Sequence, residues 1–372
     1  MDGKAILFTS TQESETPSMS DDYFNLMPEV QKSLLQAASN QLNISDVAIE
    51  KDIWVCWVLK QLFTLPISMA FKGGTSLSKA YDLINRFSED VDITIDYRNF
   101  MDAIDIEKAS RSKLKRISEE LKTNLAGCIQ GTILPFLNDK ALQLPKKVKV
   151  NIESDGKETL RLYYPSVLFD FYTDDRGNYY FDDNGERYYA PESEGAYLRD
   201  HILIEFGVRN RTEPHERRTI KTLLSQLDLE KPLSLPEASV DVLSVIRTLW
   251  EKATLIHVEC HRKRLRENSD RLSRHWYDLA MLINAGLHEE ALAKQDILES
   301  VVAHKKAFFN ASYTNYNDCL NGKFRLIPDK EDEAHLKRDY DDMVQSGMFS
   351  KEPIQFKTIL EMLENFEEII NR

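Results

Sequence analysis

Apolar residues after the polar stretch Asn43-Ile-Ser-Asp recur at helical spacing in VAIEKDIWVCWVLKQLF, which predicts a capped helix ending near Phe63. The pattern then changes. ISMAF reads as a strand, Gly73-Gly74 as a turn, and Leu77, Ala80, Tyr81 and Ile84 as the apolar stripe of a short helix. Val91, Ile93 and Ile95 alternate with Asp90, Asp92 and Thr94, the period-two signature of a strand with one wet face. A helical stretch is expected near 105–138. VKVNIES (148–154), TLRLYYP (159–165) and ILIEFGV (202–208) read as further strands. Asp-Arg-Gly and Asp-Asn-Gly near 175–185 are turn signals and suggest a polar β-hairpin insertion. Residues 1–22 are polar and Ser/Thr-rich, as in a loose arm. The Pro/Leu-rich segment LEKPLSLPEAS (229–239) reads as a boundary, and beyond Ser239 the pattern is helical. The expectation is an α+β protein: a mixed-sheet core over 23–235 and a helical C-terminal domain over 240–372.

Composition narrows the picture. A chain of 372 residues suggests two domains at about 150 residues each. The net charge of -13 repels nucleic acid overall, so any nucleic-acid contact must be a local basic patch. Two basic runs qualify: Arg209, Arg211, Arg217, Arg218 and Lys221, then Arg262, Lys263, Arg264, Arg266, Arg271 and Arg274. They read equally as an RNA backbone track or as solvated charged loops. Tyr313 and Tyr316 suit base stacking or the core. The four cysteines are scattered without a C-x-x-C pair, which argues against a zinc ribbon or a disulfide framework and for a reducing cytoplasm. No signal-peptide pattern opens the chain, and no run of about 18 apolar residues predicts a membrane span.

The candidate chemistry gathers around one strand–turn–helix–strand unit. Gly73 and Gly74 permit a tight turn, and Thr75 and Ser76 stand where the helix begins, so backbone N–H groups and hydroxyls can cradle phosphate. Asp90 and Asp92 share one strand face, roughly 6–7 Å apart at Cα, and can converge on divalent cations. Glu205, inside an apolar run, is the candidate third carboxylate; its bland alternative is a pair with Arg209. Three carboxylates about 6 Å apart repel by roughly 3 kcal/mol per pair at an effective dielectric of 20, which only a bound cation relieves. Lys252, ringed by Leu249, Leu255 and Ile256, needs an anionic partner, either a triphosphate or Asp278. Lys72, Lys79, Arg86 and Ser88 are candidate secondary contacts to phosphate or substrate. His257 and His261 could share a helix face as metal ligands, but a third ligand is missing and Glu259 is misplaced for H-E-x-x-H.

FKGGTSLSKAYDLINRFSEDVDI, followed by RTLWEKATLIH (247–257) and SRHWYDLAML (273–282), resembles the AbiEii/AbiGii nucleotidyltransferase family, toxins of type IV toxin–antitoxin and abortive-infection systems. The resemblance implies a DNA-polymerase-β-like core that uses a nucleoside triphosphate and Mg²⁺ or Mn²⁺. It also implies transfer of a nucleotide to the 3′ end of tRNA, and a winged-helix antitoxin partner. By position it matches Gly74, Thr75 and Ser76 to the family's glycine/serine motif and Asp90 and Asp92 to its metal-binding acids. It matches Lys252 to the motif lysine and Asp278 to the later aspartate. Alternative readings are transfer to a protein or an antibiotic, and a non-catalytic nucleotide-binding module.

Overall fold

The computed structural model describes residues 22–103, 109–146, 148–168, 201–229, 232–262 and 271–372. The expected N-terminal arm and the polar hairpin near 175–185 lie outside them, as do Lys263, Arg264 and Arg266.

Helix α1 (Pro28–Leu42) leads into α2 (Asp46–Leu62), whose Ser45 cap accepts from Ala48 N at 3.3 Å. α2 is buried along most of its length, including its charged residues Glu50, Lys51 and Asp52. Strand β1 (Met69–Lys72) passes directly into α3 (Gly73–Lys79), and β2 (Val91–Ile95) comes next. After α4 (Arg111–Cys128) and α5 (Leu134–Leu142) come β3 (Asn151–Ser154), β4 (Thr159–Tyr163), β5 (His201–Gly207), β6 (His215–Lys221) and β7 (Glu237–Leu243). The chain then forms α6 (Val245–Cys260), α7 (Arg274–Asn284), α8 (Leu287–Ala293), α9 (Gln295–Phe308), α10 (Lys330–Gln345) and α11 (Phe356–Ile370).

Among the described residues the seven strands form one mixed sheet, ordered β3-β4-β5-β2-β1-β7-β6. β1 runs antiparallel to β2, and β2 parallel to β5. The register sets Lys72 opposite Asp92, and Asp92 opposite Glu205. Side chains of directly paired residues share a sheet face, so these three form a row across β1, β2 and β5. The other face carries Phe71, Ile93 and Ile204, all fully buried.

Two expectations need correction. The boundary expected at 229–239 runs into β7, an inner strand between β1 and β6. Its alternation is regular, with Ala238, Val240 and Val242 buried, but only Ser244 separates it from α6, so the strand pattern merges into the helical one. One contiguous apolar core runs from Leu35 and Ile93 through Trp250 to Phe366, so sheet and C-terminal helices do not have separate cores. The helix after Gly73-Gly74 is also shorter than expected and stops at Lys79. Asp82 adopts a left-handed backbone (φ +52°), and Leu83 N folds back to the Leu77 carbonyl at 3.0 Å. Tyr81 and Ile84 still pack on the core from beyond the helix.

Candidate active site

A cavity of about 470 Å³ opens between the ends of β1, β2 and β5 and the inner face of α6. Thr248, Lys252, Leu255 and Glu259 line it at three- and four-residue steps, so α6 contributes one continuous stripe about 16 Å long, with Arg262 just beyond its end. Most of the expected site residues meet here: Gly73, Gly74, Arg86, Ser88, Asp90, Asp92, Glu205, Lys252 and Asp278 all line this cavity.

The glycine pair allows two charged groups close to the backbone. Gly73 has φ +81°, and a Cβ there would stand 1.9 Å from Asp92 Oδ2. A Cβ on Gly74 would meet an Arg86 guanidinium nitrogen at 2.6 Å and Ser88 Oγ at 3.0 Å. The two residues after the turn do not reach the cavity. Thr75 is fully buried; its hydroxyl contacts Ser88 Oγ at 2.9 Å and donates to the Asp90 carbonyl, tying the turn to the acid strand. Ser76, also buried, donates to the Gly73 carbonyl at 2.9 Å. Lys79 points away from the cavity and pairs with buried Asp52 at 2.5 Å, because the third position after Ser76 turns to the helix's inner side. The Thr75 and Ser76 hydroxyls and the Lys79 ammonium therefore brace the turn and do not face the cavity.

The helical wall carries a closed charge cluster. Asp278 accepts from Arg86 Nε and a terminal Arg86 nitrogen, both at 2.8 Å, and from Lys252 Nζ at 2.7 Å. Burial pushes the Asp278 carboxyl up, but Arg86 and Lys252 together hold it well below the usual carboxylate range. Burial pulls the Lys252 ammonium below the ordinary lysine value against the opposing pull of Asp278. Two cations share one anion, so the cluster has one positive charge in excess. Asp278 thus answers the need of Lys252 for a partner, and Arg86 joins it. His275 beside this cluster is half-buried, its Nδ1 has no hydrogen-bond partner among the described residues, and desolvation holds it neutral.

The sheet wall differs. Asp90 pairs with Arg274 at 3.0 Å. Asp92 and Glu205 have no hydrogen bond or ion pair with the described residues. Burial, then Asp90, pushes the Asp92 carboxyl up against the pull of Lys72. Burial, then Asp92, lifts Glu205 to about 7. Arg209 does not neutralise Glu205: it lies 3.8 Å from Glu158 and stacks on Phe309 at 4.9 Å. Two mutually repelling carboxylates on adjacent strands fit a divalent cation, with Asp92 and Glu205 as donors. Among the described residues no three Asp, Glu, His or Cys side chains are grouped to hold a metal; Asp90, expected as one of three acids, adds to the repulsion on Asp92 and Glu205 and pairs with Arg274.

The remaining candidates are decided by their partners. His257 accepts from Arg325 N at 3.0 Å and faces the Asn315 carbonyl at 3.3 Å, while burial lowers its pKa to about 4; both ring nitrogens are in use, which removes the zinc reading. Asp96 caps the turn after β2 and binds Arg98 and Thr212, away from the cavity. Arg217, Arg218 and Lys221 pair with Asp241, Glu216 and Glu237 at 3.1, 3.1 and 3.5 Å, so much of the first basic run is neutralised. Tyr313 and Tyr316 both line the cavity, Tyr313 under the Arg262 guanidinium at 4.5 Å. Sequence reasoning missed Glu251, Lys305 and Phe309, which also line it; the only signal was α6 and α9 spacing, which does not say which helix faces which.

The profile of the AbiEii nucleotidyl transferase toxin family, type IV toxin–antitoxin system, matches residues 57–371, and the chain belongs to that family. It is therefore an enzyme of the nucleotidyltransferase class. More narrowly, it is an AbiEii-type toxin, whose family implies an antitoxin partner and a nucleoside triphosphate substrate. No curated protein matches the chain. Among solved structures, MenT4, a nucleotidyltransferase toxin from Mycobacterium tuberculosis H37Rv, is similar over 93% of this chain and 99% of its own, at 14% identity and a TM-score of 0.43. No helix among the described residues is long and apolar enough to cross a membrane.

Proposed function

We propose that the protein moves a nucleoside monophosphate from a nucleoside triphosphate to the 3′-terminal hydroxyl of tRNA in the cytoplasm, assisted by Mg²⁺ or Mn²⁺ and restrained by a winged-helix antitoxin. The observation that carries the transfer reading is the Asp92–Glu205 pair: two carboxylates in register, facing a cavity beside a glycine turn, with no ion pair among the described residues. The acceptor and the antitoxin type rest on the family resemblance, not on any single residue.

Within this reading each side chain has a task. The Arg86–Asp278–Lys252 cluster binds and orients the triphosphate with its one surplus charge. Asp278 stays ionised and fixes both cations; it is not a proton donor. Gly73 and Gly74 keep the turn slim enough for phosphate, Asp92 and Arg86 to meet. Asp92 and Glu205 hold the divalent cation, with Asp90 beside them on Arg274. When bound, that cation neutralises charge on the transferring phosphoryl group and makes the acceptor hydroxyl more acidic.

Purified protein incubated with each labelled triphosphate and separate tRNA, protein and aminoglycoside pools tests the proposal. Label on tRNA, absent with Asp92→Ala, is the expected result. Label confined to the protein or antibiotic pool rejects the tRNA assignment. Label on nothing, with an intact fold and Mn²⁺ supplied, rejects the transfer reading.

A further inference from the structure

Six cations line the cavity among the described residues, and four are already engaged by acids: Arg86 and Lys252 by Asp278, Arg274 by Asp90, and Arg262 by Glu259. Lys72 and Lys305 are not. Lys305, on the last turn of α9, donates from Nζ to the Glu251 carbonyl at 2.9 Å and has no carboxylate within ion-pair distance among the described residues. The Glu251 carboxylate attracts the Lys305 ammonium but makes its own ion pair with Arg247 at 3.0 Å. Lys72 is the register partner of Asp92, yet makes no ion pair with it.

These two lysines come from opposite walls, one from the sheet and one from the helices, and both line the same cavity, where Lys72 opposes the charge on Lys305. Ammonium groups brought together without a counter-ion destabilise the fold unless an anion joins them. Acids would be the economical solution, and the cavity does supply them to its other four cations. Leaving these two without one keeps the position open to a soluble anion.

We propose that Lys72 and Lys305 form a second phosphate-binding pair in the cavity, distinct in its residues from the Arg86–Asp278–Lys252 cluster, and that it takes a phosphate of one of the two substrates. The identity of the anion as a substrate group rests on the transferase reading. Burial pulls the Lys305 ammonium down to about 8, so it is charged at neutral pH. The phosphate belongs either to the nucleoside triphosphate or to the backbone of the nucleic-acid acceptor.

Calorimetric binding separates these sources. The probes are inorganic tripolyphosphate, each nucleoside triphosphate and a short single-stranded RNA, offered to wild type, Lys305→Met, Lys305→Arg and Lys72→Met. For a nucleotide phosphate, Lys305→Met weakens tripolyphosphate about tenfold, and Lys305→Arg restores most of it. For an acceptor phosphate, tripolyphosphate binding is unchanged, RNA binding falls, and the slope of log affinity against log salt drops by about 0.7 per lost contact. Loss of a merely structural lysine would not change that slope. Equal affinities and slopes for both probes in Lys305→Met and Lys72→Met overturn the proposal. If Lys305→Met does not fold, Lys72→Met gives the same reading from the sheet side. Asp92→Ala serves as the control: it abolishes transfer while tripolyphosphate still binds. Wild-type protein that binds tripolyphosphate in a Lys305-dependent way but labels no acceptor would sink the transferase reading and leave the lysine pair standing.

Discussion

Two sets of charges, one buried beneath the cavity and one facing it, lie within a few residues of each other and are built in opposite ways. Beneath the cavity, Lys51 and Arg271 both bind Glu89, Lys79 binds Asp52, and Asp52 also accepts from Leu223 N at 2.6 Å. Asp339 of α10 accepts from the backbone of Arg271 and, at 2.7 Å, from Ser273 N, anchoring the start of α7. The Glu89 and Asp52 carboxylates are ion-paired, and every one of these groups is hydrogen-bonded within the fold. Facing the cavity, Asp92 and Glu205 repel each other, and Lys72 and Lys305 do the same. The first set holds elements in place; the second is electrostatically incomplete and finds its counter-charges in what binds. The same residue types thus have different meanings according to whether the fold supplies a partner.

Removing a member from each set should give opposite signatures. The largest effect is expected from Asp92→Ala: nucleotide transfer should fall at least about a thousandfold, as for loss of a principal charge-stabilising group, while the melting temperature holds or rises. Retained transfer would erase the distinction. Glu89→Ala strikes the neutralised set and strands Lys51 in the interior; a loss of about 3–5 kcal/mol in urea unfolding is expected. A third change tests the turn. Gly74→Ala, whose methyl meets the Arg86 guanidinium, should cut transfer by about ten- to a hundredfold with little loss of stability.

The smallest effect concerns Glu205. Its folded pKa is raised to about 7, so its ionisation in the metal-free protein costs stability, beginning near the ordinary carboxylate value and complete above about 7. Glu205→Gln should therefore stabilise the metal-free protein at pH 8 by roughly 1 kcal/mol after allowance for solvent screening, and not at pH 4. The same proton must leave before a cation binds, so wild-type Mn²⁺ affinity should climb between pH 6 and 8. A flat Mn²⁺ titration over that range would show that Glu205 is not a ligand.

Much of the site was legible in the sequence because local period and function coincide. Val91, Ile93 and Ile95 set the strand and by default turn Asp92 outward; Gly73-Gly74 marks the turn; Glu205 stands out as an acid among Ile204 and Phe206. What was not legible depends on partners distant in the chain. Lys79 and Lys305 are both helical lysines, and nothing local says that one meets Asp52 and the other only a main-chain carbonyl. Arg274 looked like part of a basic run, yet it clasps Asp90, 184 residues away. β6 escaped because an edge strand with one buried apolar residue, Ile220, is held by cross-strand charge pairs and shows no hydrophobic rhythm.

The lone serine between β7 and α6 has a mechanical consequence. A strand hydrogen-bonded on both sides continues, one residue later, as the helix that carries Lys252, and Ser244 is itself fastened to the Pro214 carbonyl at 2.8 Å. Floor and roof of the chamber are thus one stiff bracket without a hinge at that corner. Widening the chamber at that corner would mean breaking the Ser244–Pro214 hydrogen bond or fraying the end of β7.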